Sequence, residues 1–275
     1  MRLTGSGLGC ADWPKCSETK FVDVSTGHAA IEQLNRLFTG VVALTVILCV
    51  LLSLRLKPRR KDLIGMSAIL IVGVLLQVII GAVVVLTGLN PLSNIAHFLV
   101  SIFLMTIAYM LVRHAAIFRL TRDVVPRGSP LIGDKKVLTT VKVLVGATLL
   151  AVITGTVVTG SGPHAGDENA VRINLAMKTI VKVHSATVWI AVATLLVLIF
   201  LGGRNVLAKS LLRRSLTRFG AVVVFQGLVG YSQYFLGLPV ILVAVHVATA
   251  VAVWLCALDT YWNSRLSEAP TNVKE

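Results

Sequence analysis

Three histidines lie inside long apolar runs of this 275-residue chain: His97, His184 and His246. Polar groups at membrane depth are costly to bury, which makes each a functional candidate. An imidazole offers one ring nitrogen to a metal. Two imidazoles on facing helices of a bundle are the usual means of holding haem iron at both axial positions. His184 and His246 suit that role, and the small residues Ser185, Ala186, Ala244 and Ala248 leave room for a flat macrocycle. The competing reading of each is a histidine hydrogen-bonded to a neighbouring helix, and spacing favours the ligand pair.

One offset of 149 residues relates His97 to His246, Gln77 to Gln226, Gly81 to Gly230 and Asn35 to His184. The intervals 35–97 and 184–246 are therefore equal. Thr-Gly-Ser-Gly occurs at 4–7 and again at 159–162, with a slightly larger offset that implies extra residues in the first loop, where Cys10 and Cys16 lie. Such self-similarity is the mark of a repeat, here a parallel one. The first half is not a copy, because Asn35 stands where the second half has His184. His97 would then hold an iron from one side and leave the other position weak or open. An iron with an open position reacts, whereas one between two imidazoles passes electrons. The spacing thus predicts an electron-transfer haem in the second half and a reactive or exchangeable one in the first.

Glu32, Asn35 and Arg36 share one helix face by their spacing of three and four, with His28 a turn further out. A carboxyl at this depth serves as acid, base or cation stabiliser; the plainer reading pairs Glu32 with Arg36. Arg36 also suits a propionate, which arginine binds through paired donors. His28 is a weaker candidate for a substitute iron ligand. Gln77 and Gln226 read as interhelical hydrogen-bonding groups or as pocket lining. His164 falls in a loop where it would meet a haem edge, and His114 falls in a solvated flank. The sequence holds no phosphate-binding glycine loop, zinc spacing or serine-hydrolase motif.

The elements that must position these residues are membrane spans. Apolar residues make up 56% of the chain and charged residues 14%, against about 25% charged in soluble domains, and mean hydropathy is +0.85. A span needs about 20 apolar residues, and seven such runs occur near 28–54, 63–88, 94–117, 137–159, 176–201, 216–236 and 239–262. None alternates as a barrel strand would, so the expectation is all-α: a polytopic helical protein of two pseudo-symmetric bundles. The predicted division is an N-terminal bundle at 1–117, a linker at 118–136, a C-terminal four-helix bundle at 137–262 and a tail at 263–275. The second Thr-Gly-Ser-Gly follows a span directly while the first follows only Met1-Arg2-Leu3; the repeat therefore predicts a further helix ahead of residue 1.

The net charge of +14 is carried largely by alternate connections: Arg55, Lys57, Arg59, Arg60 and Lys61; Arg113, Arg119, Arg122, Arg127, Lys135 and Lys136; Arg204, Lys209, Arg213, Arg214 and Arg218. By the positive-inside rule these loops are cytoplasmic, which places the N-terminus and the histidine ends of the spans toward the outer face of a cell membrane. That placement explains the charge through topology and anionic lipid and argues against nucleic acid. Cys49 and Cys256 fall in apolar runs as small core residues. Cys10 and Cys16 flank Trp13-Pro14 and read as a disulfide, two free thiols or a metal site; an oxidising face favours the first.

Over its whole length the sequence resembles the haem A synthase family. The residues that carry the resemblance are Arg2-Leu-Thr-Gly-Ser-Gly-Leu-Gly-Cys-Ala-Asp-Trp-Pro-Lys-Cys16, Glu32-Gln-Leu-Asn-Arg36, Thr159-Gly-Ser-Gly-Pro-His-Ala-Gly-Asp167 and the repeat-related histidines. The resemblance implies eight helices in two four-helix bundles. It implies an oxidoreductase that converts a methyl group of haem O to a formyl group through hydroxymethyl intermediates, for terminal oxidase assembly. It implies haem b between His184 and His246, substrate haem near His97, Asn35 and Arg36, Glu32 as the catalytic carboxylate, and a Cys10–Cys16 disulfide. Implied partners are haem O, lipid, a haem O synthase, a quinone or other electron acceptor, and further copies of the chain. The sequence departs from the family pattern in the absent first helix, in Asn35 where the family has histidine, and in a 160–175 loop without cysteine. The readings that compete with it are a non-catalytic b-type cytochrome between quinol and an external acceptor, a haem carrier or assembly partner, and a transporter. Glu32 and the unequal halves favour the enzyme.

Overall fold

A computed structural model of the chain describes residues 3–121, 135–164, 167, 170–204 and 211–265. The described residues form seven helices: α1 (Gly27–Arg55), α2 (Lys61–Leu86), α3 (Pro91–Thr121), α4 (Lys135–Ser161), α5 (Met177–Arg204), α6 (Leu211–Phe235) and α7 (Val240–Ser264). The chain is a polytopic helical membrane protein. Six of these helices are long and apolar enough to cross a bilayer. The seventh, α6, begins Leu-Leu-Arg-Arg-Ser-Leu-Thr-Arg and carries Gln226 and Gln233, so its apolar content is lower although its length suffices. The linker expected at 118–136 and the tail at 263–275 lie largely outside the described residues.

Helix ends follow local chemistry. The Thr26 hydroxyl accepts from the Ala29 N–H at 3.2 Å and caps α1, and Arg55 sits in its last turn, where the helix dipole favours a cation. Pro91 opens α3 at a position that needs no N–H, three residues earlier than the apolar pattern suggests. Two turns repeat in detail. After α2, Gly88 and Leu89 take φ of 63° and 61°; after α6, Gly237 and Leu238 take 75° and 63°. A leucine at positive φ is sterically costly. Its recurrence at the repeat offset shows that the same helix–turn–helix unit was built twice, with each histidine eight residues beyond its leucine.

The described residues divide into two units. The first comprises 1–125 with 159–175, and the second 126–158 with 176–275. In the first, α2 packs on α1 and α3. The Ser53 and Ser67 hydroxyls meet at 3.0 Å in the buried seam of α1 with α2, and a Cβ at Gly73 would overlap Leu104 of α3; small residues permit such close approach of helices. Ala170 of the 159–175 stretch packs with Val84 and Leu89 at the α2–α3 turn. In the second unit all four helices meet in one apolar cluster: Val141 and Leu144 of α4, Leu195 and Leu198 of α5, Leu216 and Phe219 of α6, and Ala257 of α7. A polar seam joins α6 to α7, where buried Ser215 donates to Asp259 Oδ2 and accepts from Asn263 Nδ2, each at 2.6 Å.

Candidate functional site

In the second unit the rings of His184 (α5) and His246 (α7) face each other, with centroids 6.4 Å apart and planes at 81°. A metal–imidazole bond of about 2 Å on each side, extended to each ring centre, spans about 6 Å. The observed separation matches that span. Among the described residues no cluster of three His, Cys, Asp or Glu could hold a bare ion. A two-imidazole site suits a metal that brings its own equatorial ligands, as a macrocycle does.

The surroundings hold both rings in place. The Thr154 hydroxyl donates to carbonyls of its own helix, at 2.9 Å to Leu150 and 3.1 Å to Ala151. It also lies 3.1 Å from His184 Nδ1. With the ring proton on Nδ1, this contact leaves Nε2 as the basic nitrogen, the tautomer that ligates a metal. Thr187 contacts Thr154 at 3.0 Å and donates to the His184 carbonyl at 2.7 Å. His246 Nδ1 is buried with no hydrogen-bond partner among the described residues. A Cβ at Gly155 of α4 would lie 3.1 Å from His184 Cε1, and one at Gly230 of α6 would lie 3.0 Å from His246 Cε1. Each ring thus lies tight against a glycine, where an added Cβ would require the ring to give way.

The repeat is visible in hydrogen bonds. Gln226 Nε2 donates to the His246 carbonyl at 2.9 Å and Gln77 Nε2 to the His97 carbonyl at 3.0 Å. Thr249 donates to Gln226 Oε1, while Ser101 lies 2.5 Å from Gln77 Nε2 and donates to the His97 carbonyl at 2.9 Å. Both glutamines are interhelical clamps on a histidine's backbone. His97 also faces a glycine, Gly81, at a looser 3.6 Å, and its Nδ1 is buried with no partner among the described residues.

The remaining first-unit candidates gather at the start of α1. Cys10 and Cys16 form a disulfide. Glu32 is 1% exposed. Its Oε2 accepts the Cys10 backbone N–H at 2.7 Å, and its Oε1 accepts from Arg36 Nη2 at 2.7 Å. Arg36 donates further to the carbonyls of Asp12, Pro14 and Lys15 at 3.0–3.1 Å. Glu32 and Arg36 together bind the cysteine loop to α1. Gly9 runs so close to α1 that a Cβ there would overlap the His28 carbonyl, and His28 Nδ1 meets the buried Ser6 hydroxyl of the first Thr-Gly-Ser-Gly at 2.8 Å. Asn35 is exposed. No hydrogen bond joins it, Glu32 or Arg36 to His97 among the described residues. At the other end of the unit, His114 Nδ1 lies 3.2 Å from Asp62.

Sequence reading found the histidines and glutamines but not Thr154 or Gly155. Their signal is faint: a helix-weakening glycine in an apolar run is notable by itself, but nothing at the repeat offset marks it.

Fold and site together define a polytopic helical membrane protein with paired intramembrane imidazoles. The family described as cytochrome oxidase assembly protein (COX15-CtaA) matches residues 1–258, and the chain belongs to that family. It is 32% identical over 154 residues to the protein named Heme A synthase of Bacillus pumilus (strain SAFR-032), covering 55% of this chain and 49% of the relative. It is 28% identical over 134 residues to the Heme A synthase of Geobacillus thermodenitrificans, covering 48% and 42%. It is 28% identical over 158 residues to that of Listeria monocytogenes serovar 1/2a (strain ATCC BAA-679 / EGD-e), covering 56% and 50%. The aligned stretches thus span about half the length of these curated relatives.

Proposed function

We propose that this protein is a haem A synthase that oxidises a methyl group of haem O to a formyl group, through hydroxymethyl intermediates, for terminal oxidase assembly. The observation that carries the reading is the His184–His246 pair, 6.4 Å apart, each ring set against a glycine. Membership of the cytochrome oxidase assembly family and relatives named Heme A synthase support it.

On this reading His184 and His246 hold haem b, which supplies one-electron redox chemistry when bound. Thr154 keeps the proton of His184 on Nδ1, and Gln226 with Thr249 fixes the helix turn that carries His246. Substrate haem sits in the first unit at His97, with Asn35 in place of a second imidazole. The looser notch at Gly81, 3.6 Å from His97 Cε1, suits a haem that must enter and leave. Glu32 is the catalytic carboxylate. Arg36 and the Cys10 N–H hold it in one orientation, and the disulfide loop stabilises that arrangement. The histidine ends of the spans face outward and the arginine- and lysine-rich loops face the cytoplasm. Electrons leave to a quinone or another acceptor, and an enzyme that makes haem O supplies the substrate.

The test is haem extraction from cells that make haem O and express this chain. Haem A is expected with the wild type and not with His184→Ala or His246→Ala. Haem A at wild-type level in both variants would overturn the reading.

A further inference from the structure

Arg172, in the stretch that closes over the α2–α3 turn, is only half used. Its Nη2 donates to the carbonyls of Pro163 at 2.7 Å and Asp167 at 3.3 Å. Its Nη1 is buried and has no hydrogen-bond partner among the described residues. A guanidinium nitrogen withdrawn from water without an acceptor is costly. Native proteins rarely leave such a donor unpaired unless the site awaits a partner.

The neighbours of Arg172 fix where it stands. Two residues before it, Ala170 packs with Val84 and Leu89 of the α2–α3 turn, and Leu8 joins that cluster. One residue after it, Ile173 donates its N–H to the Gly160 carbonyl at 3.0 Å and packs over Gly160 beside Pro91 and Ile95. Arg172 is therefore carried on backbone seated on the mouth of the helix pair that holds His97. From Pro91 to His97 the helix descends about 9 Å, comparable with the reach from a haem's iron to its carboxylates.

We propose that Arg172 anchors a carboxylate of the tetrapyrrole held at His97. Its Nη2 secures the loop and its Nη1 receives the ligand, so that binding substrate also fixes the segment above it. This assignment rests on the reading of the first unit as a substrate haem site. It gives that site a selector for the free acid of the macrocycle, which neither His97 nor the apolar walls can supply.

The test uses purified full-length protein in detergent with its resident haem in place, titrated with haemin and with haemin dimethyl ester. Binding to the first unit is defined as the part lost in His97→Ala. A charge-assisted hydrogen bond predicts that wild type binds the free acid about ten- to a hundred-fold more tightly than the ester. Arg172→Gln should bring the two ligands to equal affinity, and Arg172→Lys, which keeps the charge without the fork, should retain part of the preference. The low-spin spectrum of the resident haem should be the same in all three. No preference in wild type, or a preference unchanged in Arg172→Gln, would overturn the role of Arg172 alone. No added haem whose binding depends on His97 would overturn the substrate site itself.

Discussion

The glycine notches yield a graded prediction. Alanine at Gly230 or Gly155 puts a methyl 3.0 Å from His246 Cε1 or 3.1 Å from His184 Cε1, whereas alanine at Gly81 puts one 3.6 Å from His97 Cε1. Carbon atoms settle at about 3.5–4.0 Å. The first two methyls therefore require a ring to shift by about half an ångström or the helices to part, and the third fits as it stands. Overpacking of this kind costs about 1–3 kcal/mol, and replacing a helical glycine by alanine returns about 1 kcal/mol. Global stability should thus change by less than about 2 kcal/mol in either direction. The ligand geometry gains nothing from helix propensity and bears the displacement alone. At about 1.4 kcal/mol per factor of ten, Gly230→Ala and Gly155→Ala should weaken haem retention in the second unit about tenfold or more. Gly81→Ala should leave it unchanged. The assay is transfer of haem from purified protein to excess apomyoglobin, followed in the Soret band. Release at the wild-type rate from both tight-notch variants would refute the idea that these glycines exist to seat the rings.

Other substitutions separate chemistry from support. Glu32→Ala should abolish haem A in cells that make haem O while the second-unit haem spectrum persists; haem A at the normal level would count against the assigned role. Gln226→Leu strips a hydrogen bond from the His246 carbonyl and the acceptor from Thr249, and should cost about 1–3 kcal/mol, read as a lower thermal midpoint in detergent together with faster haem loss. Ser215→Ala cuts the Asp259–Ser215–Asn263 seam between α6 and α7 and should lower stability by a similar amount, about 1–3 kcal/mol, with an unaltered haem spectrum. A shifted spectrum would mean that the seam reaches the ligand pair.

Much of this was legible in the residues because membrane spans and repeats leave strong marks. Apolar runs announced the helices, and the offset joining Gln77 to Gln226 and His97 to His246 anticipated two equivalent helix pairs. The structure extends that equivalence to the positive-φ Gly-Leu turns and to the amide–carbonyl clamps. Pairing of Glu32 with Arg36 followed from helical spacing. The Cys10 N–H on the other carboxylate oxygen did not, because it depends on how a loop folds back, and no periodicity encodes that. The same limit hid the Thr154–His184 contact, which crosses from α4 to α5, and the unpartnered nitrogen of Arg172, which only burial reveals. The lower apolar content of α6 reflects Arg218, Gln226 and Gln233, which lie within the run from 216, together with Arg213 and Arg214 just ahead of it.

The central claim, that His184 and His246 share one iron, is tested most directly by electron paramagnetic resonance of the oxidised, purified protein. Two neutral imidazoles with planes near perpendicular, 81° here, predict a low-spin ferric signal of the strongly anisotropic kind, converted to high spin in His184→Ala and in His246→Ala. A spectrum with no low-spin component, or one that survives both substitutions, would contradict the account.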